Sequence, residues 1–481
     1  MMNIANLADS LSWQETVDVV VVGSGFAGLA AAIEARTAGC SVLILEKMKG
    51  YGGNSVISDG AIAAAGTAMQ QRQGITDSKE QMLRDMLRAG LSLNHPELAR
   101  TVAEQSRDAL EWSIALGARY QDRVQAFGGH SRPRSHLAHR TSGFSIIKPM
   151  LSACRELGPD IATQHKLKRL IRNEQGRVCG VRVREGYTYP DRNSGVPKNI
   201  KARLGVILAA GGFGNDLPLR RTQVPDLNEA VDSTNKPSTT GEVLRQAMAV
   251  GAMPIHLSWI QLGPWGCPDE KGYGVGPGFA SYVAFSYGIT VNPDTGRRFM
   301  NESADRKVRA DAILEIGRPC ICIADSRGVE QSGYDIQRCL DKGVVKRFSD
   351  PAALAAAYAM PEGALQETLQ AYNHALEHQT PDPFQKNILP GSAALKHPPY
   401  YAMRVWPKVH HTMGGLQIDT RARVLDTRQR IIPGLFAAGE VTGGIHGASR
   451  LGSCAITDCL VFGRIAGKTA TRTEQDTLRA A

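Results

Sequence analysis

Residues 17–22 read VDVVVV, a β-branched run too short for a helix, and Gly23-Ser24-Gly25-Phe26-Ala27-Gly28 follows at once. An alanine-rich stretch of helical propensity comes next, then a second buried-strand run, Cys40 to Leu45, ending at Glu46. Strand, glycine turn, helix, strand and acid together form the βαβ unit that binds a dinucleotide, which predicts an α/β fold. The first two glycines permit the tight turn and the approach of a pyrophosphate, Gly28 lets helix pack on strand, and the helix N-terminus faces the phosphates. Glu46 stands eighteen residues past Gly28, where a carboxylate accepts from a ribose 2′-OH and disfavours a 2′-phosphate.

At 481 residues the chain exceeds one compact core, so two domains or one elaborated domain are expected. With 42% hydrophobic and 21% charged residues it is of ordinary globular composition. Its 56 Lys and Arg are interleaved with 46 acids, so the net charge of +10 suits small anionic ligands better than nucleic acid. Nine cysteines, with no CxxC pair, suggest neither a disulfide framework nor a metal cluster. No secretory leader and no membrane-spanning run is visible, and a cytoplasmic location is the expectation.

The 50 glycines cluster in short runs, which suggests backbone lying against a large ligand. Gly52-Gly53-Asn54-Ser55 and Gly60 could follow an extended pyrophosphate towards an isoalloxazine. Two strand-like runs near 176–214 end at Gly211-Gly212, expected against the adenine half. A third block, Gly434 to Gly452, leads into an apolar helix (AITDCLVFGRIAG) whose N-terminus could face a flavin carbonyl that gains charge on reduction. Residues 258–410, rich in Pro, Gly and aromatics, read as an insertion.

The blocks GSGFAG, YGGNSVISDGAIAAAGT, LAAGGFG, HHTMGGLQID and AAGEVTGGIHGASRLGSCAITDCLVFGRIAG resemble the flavoprotein of the fumarate reductase/succinate dehydrogenase family, most of all the flavin domain of the soluble, flavocytochrome c type fumarate reductases. The resemblance runs from residue 17 to about 468. It implies a Rossmann-like FAD-binding domain, residues 1–257 and 411–481, interrupted by an α+β capping domain at 258–410, with substrate held over the flavin between them. Carried over by motif, the FAD-binding positions are Gly23, Gly25, Ala27, Gly28, Glu46, Lys47, Gly53, Asn54, Ser55, Gly60, Gly211, Glu242, Glu440, Ala455 and Ile456. The substrate positions are Arg306 of GRRFMNESADR, the proton donor, with His410 and Arg450, which clamp a carboxylate. Hydride addition to an unsaturated acid puts enolate charge on that carboxylate, so a guanidinium fork and an imidazole stabilise the transition state more than the ground state. His410 and His411 cannot both face one ligand from a strand.

The departures from the pattern concern the substrate. Gly263 stands where the resemblance puts a histidine for a second carboxylate, and Ala280, Ser281 and Ala284 stand for its threonine and for the Glu and Arg that relay protons. No Glu or Arg lies between Lys271 and Arg297. Trp265, Tyr273, Phe279, Tyr282, Phe285 and Tyr287 offer aromatic surface there, or core of the inserted domain. GGHSRPRSH, with His130, Arg134 and His136, reads as a solvated loop, with contact to the substrate site as the alternative. No histidine in the GGNSVISDG loop suggests covalent attachment, so FAD is expected to be held noncovalently.

The resulting expectation is an FAD-dependent oxidoreductase of CH–CH bonds that reduces a 2-enoate other than fumarate, a substrate with one carboxylate or one polar carbonyl and an apolar or aromatic far end. The alternatives are a dehydrogenase desaturating a hydrophobic ketone, as ketosteroid dehydrogenases do, and a flavin electron-transfer protein without turnover. Electrons would come from a separate donor, a reductase or reduced flavin.

Overall fold

The structure, a computed structural model, describes residues 11–158, 160–361, 363–389 and 391–472. The described residues divide into two compact units: those within 11–228, 236–260 and 411–472 form the first, and those within 229–235 and 261–410 the second. Against the expected break at 257/258 the second unit begins at 261, and it also takes the strip 229–235 from the segment assigned to the FAD domain.

The first unit is built on an eight-stranded sheet. Strand β1 (Glu15–Val22) lies between β2 (Val42–Leu45) and β3 (Val196–Leu208), parallel to both, and β4 (Ile431–Ala437) pairs parallel with β3 on its other side. A sheet covered on both faces needs strands apolar on both faces, which explains the unbroken Val19–Val22 run, all 5% exposed or less. A hairpin, His165–Arg172 and Val178–Glu185, continues antiparallel from β3. Helix α1 (Phe26–Thr37) connects β1 to β2, and the long helix α2 (Cys454–Ala470) packs on it. Their approach is set by glycine: a Cβ at Gly463 would lie 2.5 Å from the Ala27 carbonyl oxygen, and one at Gly467 2.4 Å from that of Ala31. The sequence spaces these two glycines four apart, one helical turn, so they form a groove for α1.

The second unit holds a five-stranded antiparallel sheet in the order 297–298, 289–292, 320–325, 400–405, 346–348. Trp265, Phe279 and Phe285 pack with Cys320, Cys322 and Met403 in its core. The aromatics weighed as open surface are therefore mostly interior: Phe279, Phe285 and Tyr287 are buried, and Tyr282 stacks on Tyr334 with ring centroids 5.4 Å apart. Residues 279–284 form one π-helical turn within this packing. Among the described residues no helix is long and apolar enough to cross a membrane.

Candidate active site

The glycine turn carries two kinds of glycine. A Cβ on Gly23 would meet the Ala209 carbonyl at 2.2 Å, and one on Gly28 would meet the Gly23 carbonyl at 1.9 Å, so backbone packing alone requires both. Gly25 instead caps α1, without a side-chain cap and with no acid in the first turn. The first turn of α1 thus offers its N–H groups and positive dipole end to an anion, with Ala27 beside them. Ser55 Oγ accepts one of them, Phe26 N–H, at 3.1 Å. Glu46 is buried where β2 ends, and its carboxylate accepts from Ser24 Oγ at 2.5 Å and from Met48 N–H at 2.8 Å.

Gly53, Asn54 and Ser55 lie in a short 3₁₀ helix, Gly53–Ile57, rather than an open loop. Asn54 Oδ1 accepts from Lys236 N–H at 2.9 Å and from Thr239 Oγ at 3.2 Å. Gly53 and Gly211 both have positive φ, +47° and +76°, with open space where a Cβ would stand. Gly60 differs, since a Cβ there would strike Ala138 and Ser142 at 2.8 Å. Lys47 and Glu242 engage each other at 2.9 Å, and Lys166 joins Glu242 at 2.5 Å. Burial would raise the Glu242 carboxyl, but the two ammonium groups outweigh it and hold it down at about 2. Ala455 and Ile456 sit in the first turn of α2, whose N-cap Ser453 is left-handed (φ +63°) and makes no side-chain cap. Two helix N-termini without side-chain caps, bare glycine backbone and a buried carboxylate at the end of β2 fit FAD, with its anionic pyrophosphate and its ribose.

Arg450 is buried in the first unit, where loss of solvent lowers its guanidinium and nearby Glu440 opposes that. Burial raises Glu440 in turn, against hydrogen bonds from Thr412 N–H (3.0 Å) and hydroxyl (3.4 Å). His411 Nδ1 lies 3.4 Å from Glu440, and its ring meets His446 edge-on. His446 Nε2 lies 3.4 Å from Asp458.

In the second unit Trp265 brings two expected residues together. The Arg306 guanidinium lies over its ring at 4.4 Å, and the His410 imidazole meets it edge-on at 5.0 Å. Arg306 opens the helix Arg306–Ile316, capped by Asp305, and Nη1 donates to Gln261 Oε1 at 3.2 Å. The approach to that helix is anchored by buried Arg298, bonded to Glu302 at 2.7 Å and Asp382 at 2.6 Å. His410 Nδ1 lies 2.8 Å from Thr234 Oγ. Strand alternation thus sends neighbouring rings to different partners, His410 to Thr234 and Trp265, His411 to Glu440. Thr234 and Gln261 escaped the sequence reading because neither belongs to a motif; Thr234 lies 176 residues before its partner.

The GGHSRPRSH segment is a solvated loop only at Ser131 and Arg132, which are exposed. Arg134 and His136 are wholly buried, and Arg134 is bonded to Asp77 (2.8 Å) and Asp85 (2.6 Å). Its alternating charges resembled a surface because their partners lie some fifty residues upstream.

Among known proteins, the family described as FAD binding domain matches residues 18–456. The chain is 41% identical over 473 residues to the acrylate reductase flavoprotein subunit of Shewanella woodyi, covering 97% of this chain and 93% of that one. It is 35% identical over 464 residues to a fumarate reductase (cytochrome) of Shewanella frigidimarina, with 95% and 77% covered. The open conformation of a flavocytochrome c3 fumarate reductase superimposes with a TM-score of 0.76 at 33% identity, over 96% of this chain and 79% of that one.

Proposed function

The chain belongs to the FAD-binding family of fumarate reductase-like flavoproteins, FAD-dependent oxidoreductases of carbon–carbon double bonds, and from that premise we propose that it reduces a small monocarboxylic 2-enoate, acrylate or a near relative, rather than fumarate. One observation carries the choice. Where the resemblance puts a histidine for a second carboxylate stands Gly263, which offers no side chain, and a Cβ there would stand 3.1 Å from the Trp265 indole, so any larger residue would need that ring to give way. Ala280, in place of the matching threonine, is buried and has no polar group to offer. A second carboxylate would go unpaired, at a cost of several kcal/mol, on the order of that for an unpaired buried ion. The burial of Phe279, Phe285 and Tyr287 supports a short substrate over one with an aromatic end.

Bound FAD supplies hydride chemistry, and the glycine turn, Glu46, the 53–55 segment, Gly211 and the start of α2 are the groups that would hold it. Arg450 and His410 take the single carboxylate. If the Thr234 hydroxyl gives its hydrogen to His410 Nδ1, as the 2.8 Å contact allows, Nε2 carries the other hydrogen and can donate to the carboxylate. Both groups gain strength as enolate charge develops, so they polarise the acid as well as bind it. Arg306, held by Trp265 and Gln261, delivers its Nη proton to the α-carbon and recovers one from solvent. Electron supply is assigned to a separate donor, a reductase or reduced flavin.

The test is anaerobic. Dithionite-reduced holoprotein is mixed singly with acrylate, crotonate, fumarate and an enone steroid, and the return of the oxidised flavin spectrum is followed. Fast return with acrylate and slow return with fumarate is expected. Equal rates with fumarate would overturn the one-carboxylate reading, and response to the steroid alone would point to a ketone dehydrogenase.

A further inference from the structure

The GGHSRPRSH segment, half-buried at His130 and fully buried from Arg134 to His136, reaches the turn that bears Arg450. Arg134, bonded on two sides by Asp77 and Asp85, directs Nη1 to His130 Nδ1 at 3.0 Å, and His130 Nε2 reaches the Gly452 carbonyl oxygen at 2.8 Å. A guanidinium only donates, so Nδ1 must be the acceptor, and the one ring hydrogen sits on Nε2 and is given to Gly452. Arg134 therefore sets the tautomer and His130 transmits it to the backbone two residues past Arg450. Burial first, and Arg134 second, depress the His130 pKa to about 4, so the ring is neutral at working pH.

The same turn is held at neighbouring atoms. Ser135 Oγ lies 2.6 Å from Ser453 Oγ, and Ala63 N–H donates to the Ser453 carbonyl at 3.2 Å. A Cβ on Gly452 would meet the Phe127 ring at 2.9 Å, so the segment also packs on it. Ser453 holds a left-handed conformation that a serine keeps only when its surroundings impose it.

We propose that His130 is a positioning residue: through Gly452 it sets the turn 450–453, and hence the aim of the Arg450 guanidinium at the substrate carboxylate. The chain Asp77 and Asp85 to Arg134 to His130 to Gly452 is the brace of the carboxylate site. This rests on the reading of Arg450 as the carboxylate clamp.

The experiment uses oxidised holoprotein and propionate, the saturated counterpart of the proposed substrate, and reads the dissociation constant from the flavin absorbance shift. His130→Leu removes the donor to Gly452 and is expected to raise that constant about tenfold, the worth of one hydrogen bond. His130→Gln, whose amide can donate at the same reach, restores most of the affinity. Tyr120→Phe serves as control, since its hydroxyl bonds Ser113 and neither the brace nor the turn; it lowers stability but leaves propionate binding unchanged. Unaltered binding in His130→Leu, or equal weakening in Tyr120→Phe, overturns the proposal. Should His130→Leu yield no holoprotein, His130→Asn, too short to reach Gly452, is read in the same way. Arg450→Met that still binds propionate normally refutes the clamp itself, which separates failure of that reading from failure of this one.

Discussion

Acidification tests the buried polar cluster around Arg134. His136 is fully buried, with Nδ1 donating to the Arg134 carbonyl at 3.0 Å and Nε2 facing the Thr67 hydroxyl at 3.0 Å. Burial depresses its pKa to about 4, although the Arg134 and Ile62 carbonyls and the charge of Asp77 pull the other way. The unfolded ring titrates near 6.5, so above that pH both states are neutral and His136 places no pH dependence on folding. Between about 6.5 and 4 the unfolded chain takes up a proton that the folded one refuses, and stability falls by ~1.36 kcal/mol per pH unit. From pH 7 to pH 5 that amounts to about 2 kcal/mol for His136, and His130, depressed to the same degree, adds a similar amount. The measurement is urea denaturation of wild-type and His136→Gln holoprotein at both pH values. The variant is less stable at pH 7 but should lose about 2 kcal/mol less on acidification than the wild type. Equal losses in the two proteins would refute the reasoning, since they would mean that the folded ring accepts its proton as freely as the unfolded one.

Arg134→Met leaves Asp77 and Asp85 buried without their cation and should cost about 3–5 kcal/mol, read as a fall in Tm, whereas Arg88→Met, at the exposed edge of the same cluster, should cost under about 1 kcal/mol. Arg306→Gln should reduce kcat by about a hundredfold or more while propionate binding holds, because it removes the proton donor and not the clamp; an unchanged kcat would exclude it from proton transfer. Gly467→Val puts side chain into the Ala31 carbonyl and should destabilise the first unit by at least 1–3 kcal/mol, roughly the overpacking range, with loss of FAD on purification as the readout. Glu242→Gln leaves Lys47 and Lys166 facing each other and should lower stability most at neutral pH, the gap to wild type closing only as pH falls below 4.5 towards about 2; a gap independent of pH would show that the pair carries no weight.

Local chemistry in the chain was enough for the βαβ unit. The Val19–Val22 run, the glycine turn and Glu46 lie within thirty residues, and the backbone geometry they need is dictated by neighbours in sequence. The glycine at 263, where the resemblance puts a histidine, was also legible, because absence of a side chain is itself a local fact. What the chain does not display is partnership at a distance. Arg134 resembled a surface cation until folding brought Asp77 and Asp85 to it, and the aromatics at 279–287 were ambiguous between pocket and core until the sheet of the second unit buried them. Thr234 carries no motif, and only the tertiary structure sets it beside His410. Burial and pairing energies depend on what surrounds a group in space, whereas periodicity records only the face on which it lies; the fold and cofactor class therefore belong to the sequence, and the brace behind Arg450 to the folded chain alone.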